Sequence, residues 1–508
     1  MCGIAGIWGR AEPGSVQGMM DRLAHRGPDA EGMHLDPERG VLGHRRLSIM
    51  DPQGGDQPIY SEDRDTVVVA NGEIYNFPTL YEDLSTRHRF RTHNDSEALV
   101  HLFEERGPDA VRAADGMFAI AIAEPNGLFL ARDPIGIKPL YYGTQEGGAS
   151  FRFASELKAF DGCSDEVHEF PPGTLYHSSK GFVPYYQVPS RLPREAPLDA
   201  HLSLVRQTLE VSVVKRLMSD VPLGAFLSGG LDSSLIAAIA RQHLDKLHTF
   251  SVGIEGSDDI EAARLVSRHI DSVHHEYLFT PEEVLGKLPE IIYHLESFDR
   301  DLVRSAIPCY FCSRLASEHV KVILTGEGAD ELFAGYTYYR EQDDPDALHG
   351  ELRRSVASLH NVNLQRVDRL TMAHGLEGRV PFLDLAMIEA AQTVPTELKL
   401  YDDGGGRPVE KWILRKACED LLPPEIVWRE KAQFDEGSGT VKLLEAVLAT
   451  AVLGLDREAY ARVYAGDNLL SAEECFYHKL LVESFEQPDV VLRNVGRWGE
   501  AQWGAPPI

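Results

Sequence analysis

Short apolar runs separated by glycine and polar residues predict a β-rich amino-terminal half. Residues 66–70 and 118–123 are apolar or alternate between apolar and polar positions, which is typical of strands. Many short strands with polar turns between them favour stacked sheets. We therefore expect this half of the chain to be layered.

A different pattern, in which strands alternate with helices, follows in the second half. Residues 223–227, 247–253 and 320–324 predict short buried strands, and residues 235–240 predict an apolar helix that begins near Asp232. Strands that alternate with helices are typical of a parallel sheet, which binds ligands beyond the carboxyl ends of its strands. The segments that follow these three strands are therefore expected to meet in one crevice.

A proline-rich stretch without periodicity, residues 182–197, separates the two patterns and predicts a linker. With 508 residues, the chain is long enough for two or three cores. The sequence thus predicts an α/β protein with two domains, at residues 1–190 and 200–508, of which the first is α+β.

Composition and charge favour a soluble globular protein. Apolar residues make up 43% and charged residues 25% of the chain, both ordinary for this class. The 50 basic and 79 acidic residues give a net charge of −29, which argues against general binding to nucleic acid or anionic membranes. The negative net charge does not exclude a local basic pocket. No apolar run predicts a membrane span, and residues 1–6 lack the charged start and apolar core of a signal peptide.

The cysteines give no sign of a disulfide framework, since six of them are spread over the whole chain. Cys309 and Cys312 form a single CxxC pair in an apolar helical stretch. Without a second pair, a packed helix face is favoured over a zinc site. Reduced thiols and the missing signal peptide together predict a cytoplasmic location.

The loop after the first strand of the second half has the features of an anion site. It consists of Ser228, Gly229, Gly230, Leu231, Asp232, Ser233 and Ser234. The first N–H groups of a helix lack intrahelical partners, and the helix dipole favours negative charge beside them. Asp232 indicates a metal that bridges to phosphate oxygens. The loop lacks the Gly-Lys-Ser/Thr ending of a Walker A motif, and a simple N-cap after a turn would give the same bare pattern.

Cys2, directly behind the initiator methionine, is a candidate nucleophile. If Met1 is removed, Cys2 carries both a thiol and a free α-amino group, and an amine that titrates near neutrality can act as the base for the thiol. Taken alone, Cys2 could equally be a small residue that happens to stand second. Polar motifs at residues 25–29, 43–51, 70–76 and 94–97 accompany it.

With these motifs the amino-terminal half resembles the class II glutamine amidotransferase domain. The resemblance implies an N-terminal nucleophile fold, a four-layer α-β-β-α sandwich, in which Cys2 attacks the side-chain amide of glutamine. It implies an oxyanion hole at Asn71 and Gly72, which would be catalytic together with Cys2. It also implies that Arg46 pairs with the substrate carboxylate, where a guanidinium fork suits two oxygens. The implied glutamine-binding residues are Arg46, Leu47, Ser48, Ile49, Met50, Asn71, Gly72, Glu73 and Asp95.

Residues 131–142 and 153–158 match the same domain, and we interpret them as structural residues that contact the second half.

The second half resembles the synthetase domain of the asparagine synthetase family, and its loop resembles the pyrophosphate-binding loop of the N-type ATP pyrophosphatases. The motifs at residues 228–234, 325–333, 373–384, 410–415 and 428–434 carry this resemblance. It implies Mg²⁺ held by Asp232 and Asp330, and catalytic roles for Glu327 toward ammonia and for Lys431 toward pyrophosphate. The implied ATP-binding residues are Phe226, Leu227, Ser228, Gly229, Gly230, Asp232, Ser233, Ser234, Val252, Thr325 and Gly326.

The two resemblances together imply a reaction. Glutamine hydrolysis at Cys2 would release ammonia, which passes through an internal tunnel and attacks β-aspartyl-AMP made from aspartate and ATP. The products would be asparagine, glutamate, AMP and pyrophosphate. The expected partners are therefore the small molecules glutamine, aspartate and ATP, and a homodimer is carried over from the family.

Other functions stay open at this point. β-Lactam synthetases share the architecture, but Cys2 and Glu327 favour a glutamine-dependent enzyme. Residues 296–304 and 436–439 differ from the usual asparagine synthetase pattern, which allows a biosynthetic enzyme that acts on another carboxylate. A regulatory or binding protein with an inactive synthetase half is disfavoured because Asp232, Glu327, Asp330 and Lys431 are all present.

Overall fold

The structure is a computed structural model. It describes residues 2–144, 150–163, 166–342, 344–402, 408–430, 437–441, 443–444 and 455–498.

Two antiparallel sheets of six strands each form the centre of the amino-terminal half. The strands are β1 Gly3–Gly9, β2 Ala30–Asp36, β3 Gly40–Arg46, β4 Ile59–Tyr60, β5 Val67–Ile74, β6 Gly116–Glu124, β7 Gly127–Arg132, β8 Tyr141–Thr144, β9 Ser150–Ala154, β10 Glu166–Glu169, β11 Thr174–His177 and β12 Gly181–Pro184. The first sheet has the order β10-β8-β9-β1-β3-β2, and the second has the order β12-β11-β7-β6-β5-β4.

Helices cover the outer faces of both sheets. They are α1 Pro13–Arg22, α2 Phe77–Leu84 and α3 Glu97–Arg106. Side chains such as Ile4 from β1 and Val69 from β5 fill the space between the sheets. Helix α1 packs on the outer face of the first sheet and α3 on that of the second. The predicted four-layer α-β-β-α sandwich is confirmed.

A parallel sheet of five strands organises the second half. The strands are β13 Leu223–Phe226, β14 His248–Gly253, β15 Val273–Leu278, β16 Val322–Leu324 and β17 Glu377–Arg379, in the order β15-β14-β13-β16-β17. A small pair, β18 Leu400–Tyr401 and β19 Val409–Glu410, lies outside it. The three strands expected from the apolar runs are present as β13, β14 and β16, so the parallel-sheet prediction is confirmed.

Helices surround this sheet and extend to the end of the described chain. They are α4 Leu198–Lys215, α5 Leu231–Gln242, α6 Asp258–Ile270, α7 Pro281–Leu295, α8 Arg300–Ser317, α9 Ala329–Phe333, α10 Pro345–Ala357, α11 Asn363–Met372, α12 Leu385–Thr393, α13 Thr396–Lys399, α14 Trp412–Ala417, α15 Pro424–Val427, α16 Arg457–Val463, α17 Ala472–Ser484 and α18 Asp489–Leu492. Short 3-10 helices are Ala24–Arg26, Gly107–Arg112, Leu157–Phe160, Thr337–Glu341, Leu359–Asn361, Pro381–Leu383 and Ala465–Asp467. Cys309 and Cys312 lie on the buried part of α8, as a packed helix face predicts. Among the described helices, none has the length and apolarity that a bilayer crossing requires.

The predicted linker begins three residues too early. Residues 182–184 belong to β12, because Phe182 and Val183 pair with Tyr176 and Leu175 of β11. Within the predicted linker, residues 185–197 have neither helix nor strand. Since strand pairing is decided by a partner elsewhere in the chain, the proline content alone misplaced this boundary.

Candidate functional site

The backbone of Cys2 is fixed from two directions at the start of β1. Its N–H donates to the Oδ1 atom of Asn71 at 3.1 Å, and its carbonyl accepts from the Nε atom of Arg26 at 3.0 Å. Asn71 lies on β5 of the second sheet, while Arg26 follows α1 on the first. The two sheets thus meet at Cys2, and the structure brings Cys2 and Asn71 together.

The thiol of Cys2 is buried beside several positive groups. Burial raises its pKa, while the N-terminal charge, a hydrogen bond from the backbone of Leu47 and the nearby Arg46 act in the opposite direction. A thiol becomes a nucleophile when its thiolate is stabilised, so these three groups are the ones that can activate it.

Two residues of the predicted glutamine site each carry a buried polar atom that makes no hydrogen bond to the described residues. Within the described residues, the buried Nδ2 atom of Asn71 has no hydrogen-bond acceptor, and the buried Oε2 atom of Glu73 has no donor. Buried polar atoms without partners are rare, and ligand binding is one cause. A free donor suits an oxyanion, and a free carboxylate oxygen suits an ammonium group.

Glu73 and Asp95 form the acidic side of this pocket. Both are buried, and Asp95 accepts from the backbone N–H of Ile74 at 2.6 Å. Burial raises the pKa of Asp95 to about 6 and, together with Glu377 and Asp95, raises that of Glu73 well above its ordinary value. Arg379, 3.5 Å from Glu73, offsets only part of their charge, so the pair can bind a cationic group.

Arg46, the last residue of β3, is already engaged by the loop that follows it. It donates to the carbonyl of Asp51 at 2.6 Å and that of Met50 at 3.2 Å, and it pairs with Asp56 at 2.6 Å. The structure therefore shows Arg46 shaping the loop at residues 50–56. Contact with a substrate carboxylate stays a prediction.

The remaining glutaminase residues are positioned by backbone packing. Leu47, Ser48, Ile49 and Met50 follow β3 as a buried segment, in which the N–H of Ser48 donates to Asp29. At Gly72 a Cβ atom would lie 2.1 Å from the carbonyl oxygen of Met117, so only glycine allows β5 to approach β6 this closely.

A cleft opens at the carboxyl ends of β13, β14 and β16, as the alternation of strands and helices predicts. Nine of the eleven predicted ATP-binding residues line it, as do Glu327 and Asp330. They are Phe226, Leu227, Ser228, Gly230, Asp232, Ser233, Val252, Thr325 and Gly326. The buried hydroxyl of Thr325 has no hydrogen-bond partner in the part of the chain that the structure describes. It can therefore bind a ligand.

Gly229 and Ser234 do not line the cleft. Gly229 has a φ of +72°, and a Cβ there would lie 2.4 Å from the Cβ atom of Ala262 on α6. Its role is to let the loop pack on that helix. Ser234 is fully buried on α5 and is not among the residues that line the cleft. Contact of either residue with ATP stays a prediction.

Lys411, to which the sequence assigned no role, lies between the two predicted metal ligands. Its Nζ atom is 2.5 Å from Asp232 and 2.6 Å from Asp330. Burial alone would lower the pKa of Lys411, but the two carboxylates raise it. Because one ammonium group reaches both carboxylates, Asp232 and Asp330 converge, and two convergent carboxylates fit Mg²⁺ bound to phosphate oxygens.

Glu327 is held by Arg366, a second residue that the sequence did not single out. The Nη2 atom of Arg366 lies 2.5 Å from Oε1 of Glu327. Arg366 is on α11, and burial, which would lower its pKa, is outweighed by Glu327. On the wall of the same cleft, Arg429 pairs with Asp259 at 2.9 Å. Lys431 and Glu436 lie outside the described residues.

Helix α11 connects the two sites. Near its middle, Asp368 pairs with Arg26 at 2.7 Å, and Arg26 binds the carbonyl of Cys2. Two residues earlier, Arg366 pairs with Glu327 in the cleft. A single helix thus reaches the backbone of Cys2 through Arg26 and holds Glu327 through Arg366.

Buried ion pairs surround this connection, as expected for residues 131–142 and 153–158. Lys158 lies 2.9 Å from Glu296, which also pairs with Arg369 at 2.9 Å. Lys138 lies 3.6 Å from Asp368. Because buried charges need partners, these contacts hold the halves in one relative position.

Family models match both halves of the chain. A glutamine amidotransferase domain model matches residues 1–177, and an asparagine synthase model matches residues 204–347 and 341–494. Glutamine-hydrolysing asparagine synthetase 2 of Arabidopsis thaliana is 38% identical, covering 96% of this chain and 87% of the relative. A probable enzyme of that name from Dictyostelium discoideum is 36% identical, covering 99% and 97%. Another, from Schizosaccharomyces pombe, is 38% identical, covering 100% and 97%.

A solved glutamine phosphoribosylpyrophosphate amidotransferase of B. subtilis is a distant match. It is 20% identical with a TM-score of 0.31, covering 49% of this chain and 65% of its own.

Proposed function

The chain belongs to the family of glutamine-hydrolysing asparagine synthetases, and we propose that it makes asparagine from aspartate with ATP as energy source and glutamine as nitrogen donor. The observation that carries the proposal is the pair of unsatisfied atoms beside Cys2. The Nδ2 donor of Asn71 and the Oε2 acceptor of Glu73 match the oxyanion and the α-ammonium group of a bound glutamine.

The first half-reaction takes place at Cys2. The thiolate attacks the side-chain amide carbon of glutamine, and Asn71 and Gly72 stabilise the oxyanion that forms. The C–N bond breaks, ammonia leaves with the proton taken from the thiol, and a γ-glutamyl thioester remains. Water then cleaves the thioester to glutamate. The α-amine freed by removal of Met1 serves as the base, and its position is set by the hydrogen bond to Asn71.

The second half-reaction takes place in the cleft. The β-carboxylate of aspartate attacks the α-phosphorus of ATP, and pyrophosphate leaves. Ammonia then attacks the acyl carbon of β-aspartyl-AMP, which gives asparagine and AMP. Asp232 and Asp330 would hold Mg²⁺, which would neutralise phosphate charge. Lys411, which contacts both carboxylates, supplies a fixed positive charge there.

The position of Glu327 supports a role toward ammonia. Its carboxylate lines the cleft and is anchored through Arg366 to α11, the helix that also contacts Arg26. A carboxylate there can orient ammonia or accept its proton when the amide bond forms. Separation of the two sites keeps water away from the acyl-adenylate.

The unusual segment at residues 296–304 bears less on the acceptor than its sequence indicates. Glu296 is buried against Lys158 and Arg369, so it belongs to the contact between the halves. Asp301 and Ser305 of α8 do line the cleft. Asp301 is therefore the residue of segment 296–304 that lies where it can affect the acceptor.

Release of pyrophosphate with a panel of carboxylic acids, with glutamine and Mg·ATP supplied, tests the proposal. Aspartate should give pyrophosphate and asparagine in equal amounts. If aspartate gives none while another acid does, the enzyme is an amidotransferase for that acid. Pyrophosphate release with no acid would contradict both.

A further inference from the structure

Three histidines cluster at the edge of the parallel sheet, outside both sites described above. His248 is the first residue of β14, His275 is the third residue of β15, and His319 lies just beyond the end of α8. We call these residues the histidine cluster. The nucleotide loop follows the carboxyl end of β13, whereas His248 marks the amino end of the neighbouring strand.

Two rings of the cluster meet through their nitrogens, and the third ring stacks on one of them. The Nδ1 atom of His248 lies 2.9 Å from Nε2 of His275, and the rings of His275 and His319 are 3.9 Å apart between centroids. One ring nitrogen from each of the three residues lies within 4.8 Å of the other two. His248 and His275 are half-buried and fixed on adjacent strands, while His319 is exposed.

We propose that the histidine cluster binds one divalent transition metal ion of the class that imidazole prefers, zinc foremost. Zinc binds histidine nitrogen at about 2.0–2.1 Å, so ligand atoms in a tetrahedral shell lie about 3.3 Å apart. The Nδ1 atom of His248 and the Nε2 atom of His275 are already closer than this, at 2.9 Å. The exposed side chain of His319 can rotate to complete a set of three ligands, and water takes the fourth position.

The surroundings of the three rings also bear on metal binding. Neutral imidazoles keep the lone pairs that a metal needs. In the described ranges, no carboxylate lies within ion-pair distance of these three rings, so none holds them in a protonated state.

A second group of similar composition provides a matched control. His88, His101 and Glu104 also lie within 4.8 Å of one another. There, however, His101 binds Glu104 at 2.9 Å and His88 binds Glu105 at 3.1 Å. Its imidazoles are thus engaged by carboxylates, and hydrogen bonding to Glu97 and Glu104 raises the pKa of His101 despite burial, which lowers it. We expect this group to bind zinc much more weakly.

Zinc binding to the full-length protein, after removal of metals by a chelator, tests the inference. Zn²⁺ is titrated in competition with a chromophoric chelator, with excess Mg²⁺ present to occupy the carboxylates of the nucleotide cleft. Wild-type protein should bind one equivalent. His319→Asn and His275→Asn should weaken this binding at least tenfold, and His88→Asn should leave it unchanged.

Thermal unfolding gives a second readout. An ion that binds only the folded state raises the melting temperature, so Zn²⁺ should stabilise wild-type protein and His88→Asn but not His319→Asn. Because His319 is exposed, the His319→Asn variant should have the same melting temperature as wild-type protein when a chelator removes all metal. If His275→Asn does not fold, the His319→Asn variant decides the test. Equal zinc affinity of His319→Asn and wild-type protein, no binding by wild-type protein, or loss of binding in His88→Asn would each overturn the inference. None of these results bears on asparagine synthesis, which the pyrophosphate assay tests separately.

Discussion

Asp368 of the second half lies 2.7 Å from the guanidinium group of Arg26 in the first half. Both side chains are buried, and Arg26 also binds the carbonyl of Cys2 at 3.0 Å and Glu156 at 2.6 Å. This one ion pair therefore joins the position of the nucleophile to α11, whose Arg366 holds Glu327. We therefore expect both the glutaminase and the synthetase activity to fall when this ion pair is removed.

The first prediction concerns Asp368→Asn. Loss of one partner leaves the buried charge of Arg26 only partly compensated, so we expect a loss of about 3 kcal/mol in the free energy of unfolding, measured in urea. Glutamine-dependent synthesis should fall more than ammonia-dependent synthesis because Cys2 loses its fixed position. The exposed pair of Asp109 and Arg112 is the control, and Asp109→Asn should change stability by less than about 0.5 kcal/mol. Equal stability of the Asp368 and Asp109 variants would contradict the buried-pair interpretation.

The second prediction concerns Cys2→Ala. Removal of the thiol should abolish glutamine-driven synthesis, while synthesis from added ammonium should survive, because the cleft and its residues are intact. Asparagine formation with each nitrogen source measures this. Cys163→Ser, which changes a cysteine outside the Cys2 pocket, should keep both activities. Loss of both activities in Cys2→Ala would rule out two separate sites.

The third prediction concerns Lys411→Met. Without the ammonium group, Asp232 and Asp330 repel each other and the phosphates lose a fixed positive charge. Pyrophosphate formation should fall about 100-fold or more, the size of effect seen when one preorganised electrostatic contact is removed. Glutamine hydrolysis without the other substrates should be retained.

Lys416, near the end of α14, the helix that begins directly after Lys411, is the matched control for Lys411. It is partly exposed and pairs with Glu419, so Lys416→Met should leave pyrophosphate formation unchanged. If the Lys411 and Lys416 variants are equally active, Lys411 has no role in the nucleotide site.

The fourth prediction concerns the pH dependence of stability at Asp95. Burial raises its pKa from 3.8 to about 6, so the native state holds this proton more tightly than the unfolded state. The contribution of Asp95 to stability therefore falls as pH rises from about 4 to about 6. Asp95→Asn removes this cost, and the variant should be more stable than wild-type protein above pH 6 by up to about 3 kcal/mol.

Urea unfolding at several pH values measures this difference, which should shrink toward pH 4. The KM for glutamine should rise in the same variant, because the amide cannot neutralise the α-ammonium group of the substrate. Asp109→Asn, in which the carboxyl is exposed, should show no such pH-dependent gain. A gain in Asp95→Asn that is equal at pH 4 and pH 7.5 would contradict the raised pKa.

The local parts of the fold and of the sites could be predicted because neighbours in sequence determine them. A strand, a glycine turn and a helix start are set within about ten residues, and β13, the loop and α5 follow this pattern. Cys2 and Asn71 could be paired through a resemblance, although 69 positions separate them. The helix at Cys309 and Cys312 followed from apolar periodicity alone.

The contacts of other residues could not be predicted from their neighbours in the sequence. Lys411 lies 179 positions from Asp232, and nothing in the spacing of either residue indicates that they touch. The same is true of Arg366 and Glu327 and of the three rings in the histidine cluster. Gly229 and Ser234 belong to the same predicted loop, but a Cβ atom at Gly229 would meet α6 and Ser234 is fully buried, so neither lines the cleft.

The sequence by itself determined the order of the two halves, the parallel sheet of the second half and the strand–loop–helix unit of β13 and α5, because these depend on short-range pattern. Only the tertiary structure decided which charges face each other: Lys411 between two carboxylates, α11 between two sites, and Glu296 in the contact between the halves rather than in the acceptor pocket. The physical reason is that electrostatic and hydrogen-bond energies depend on distance in space, which a chain sets only once it has folded.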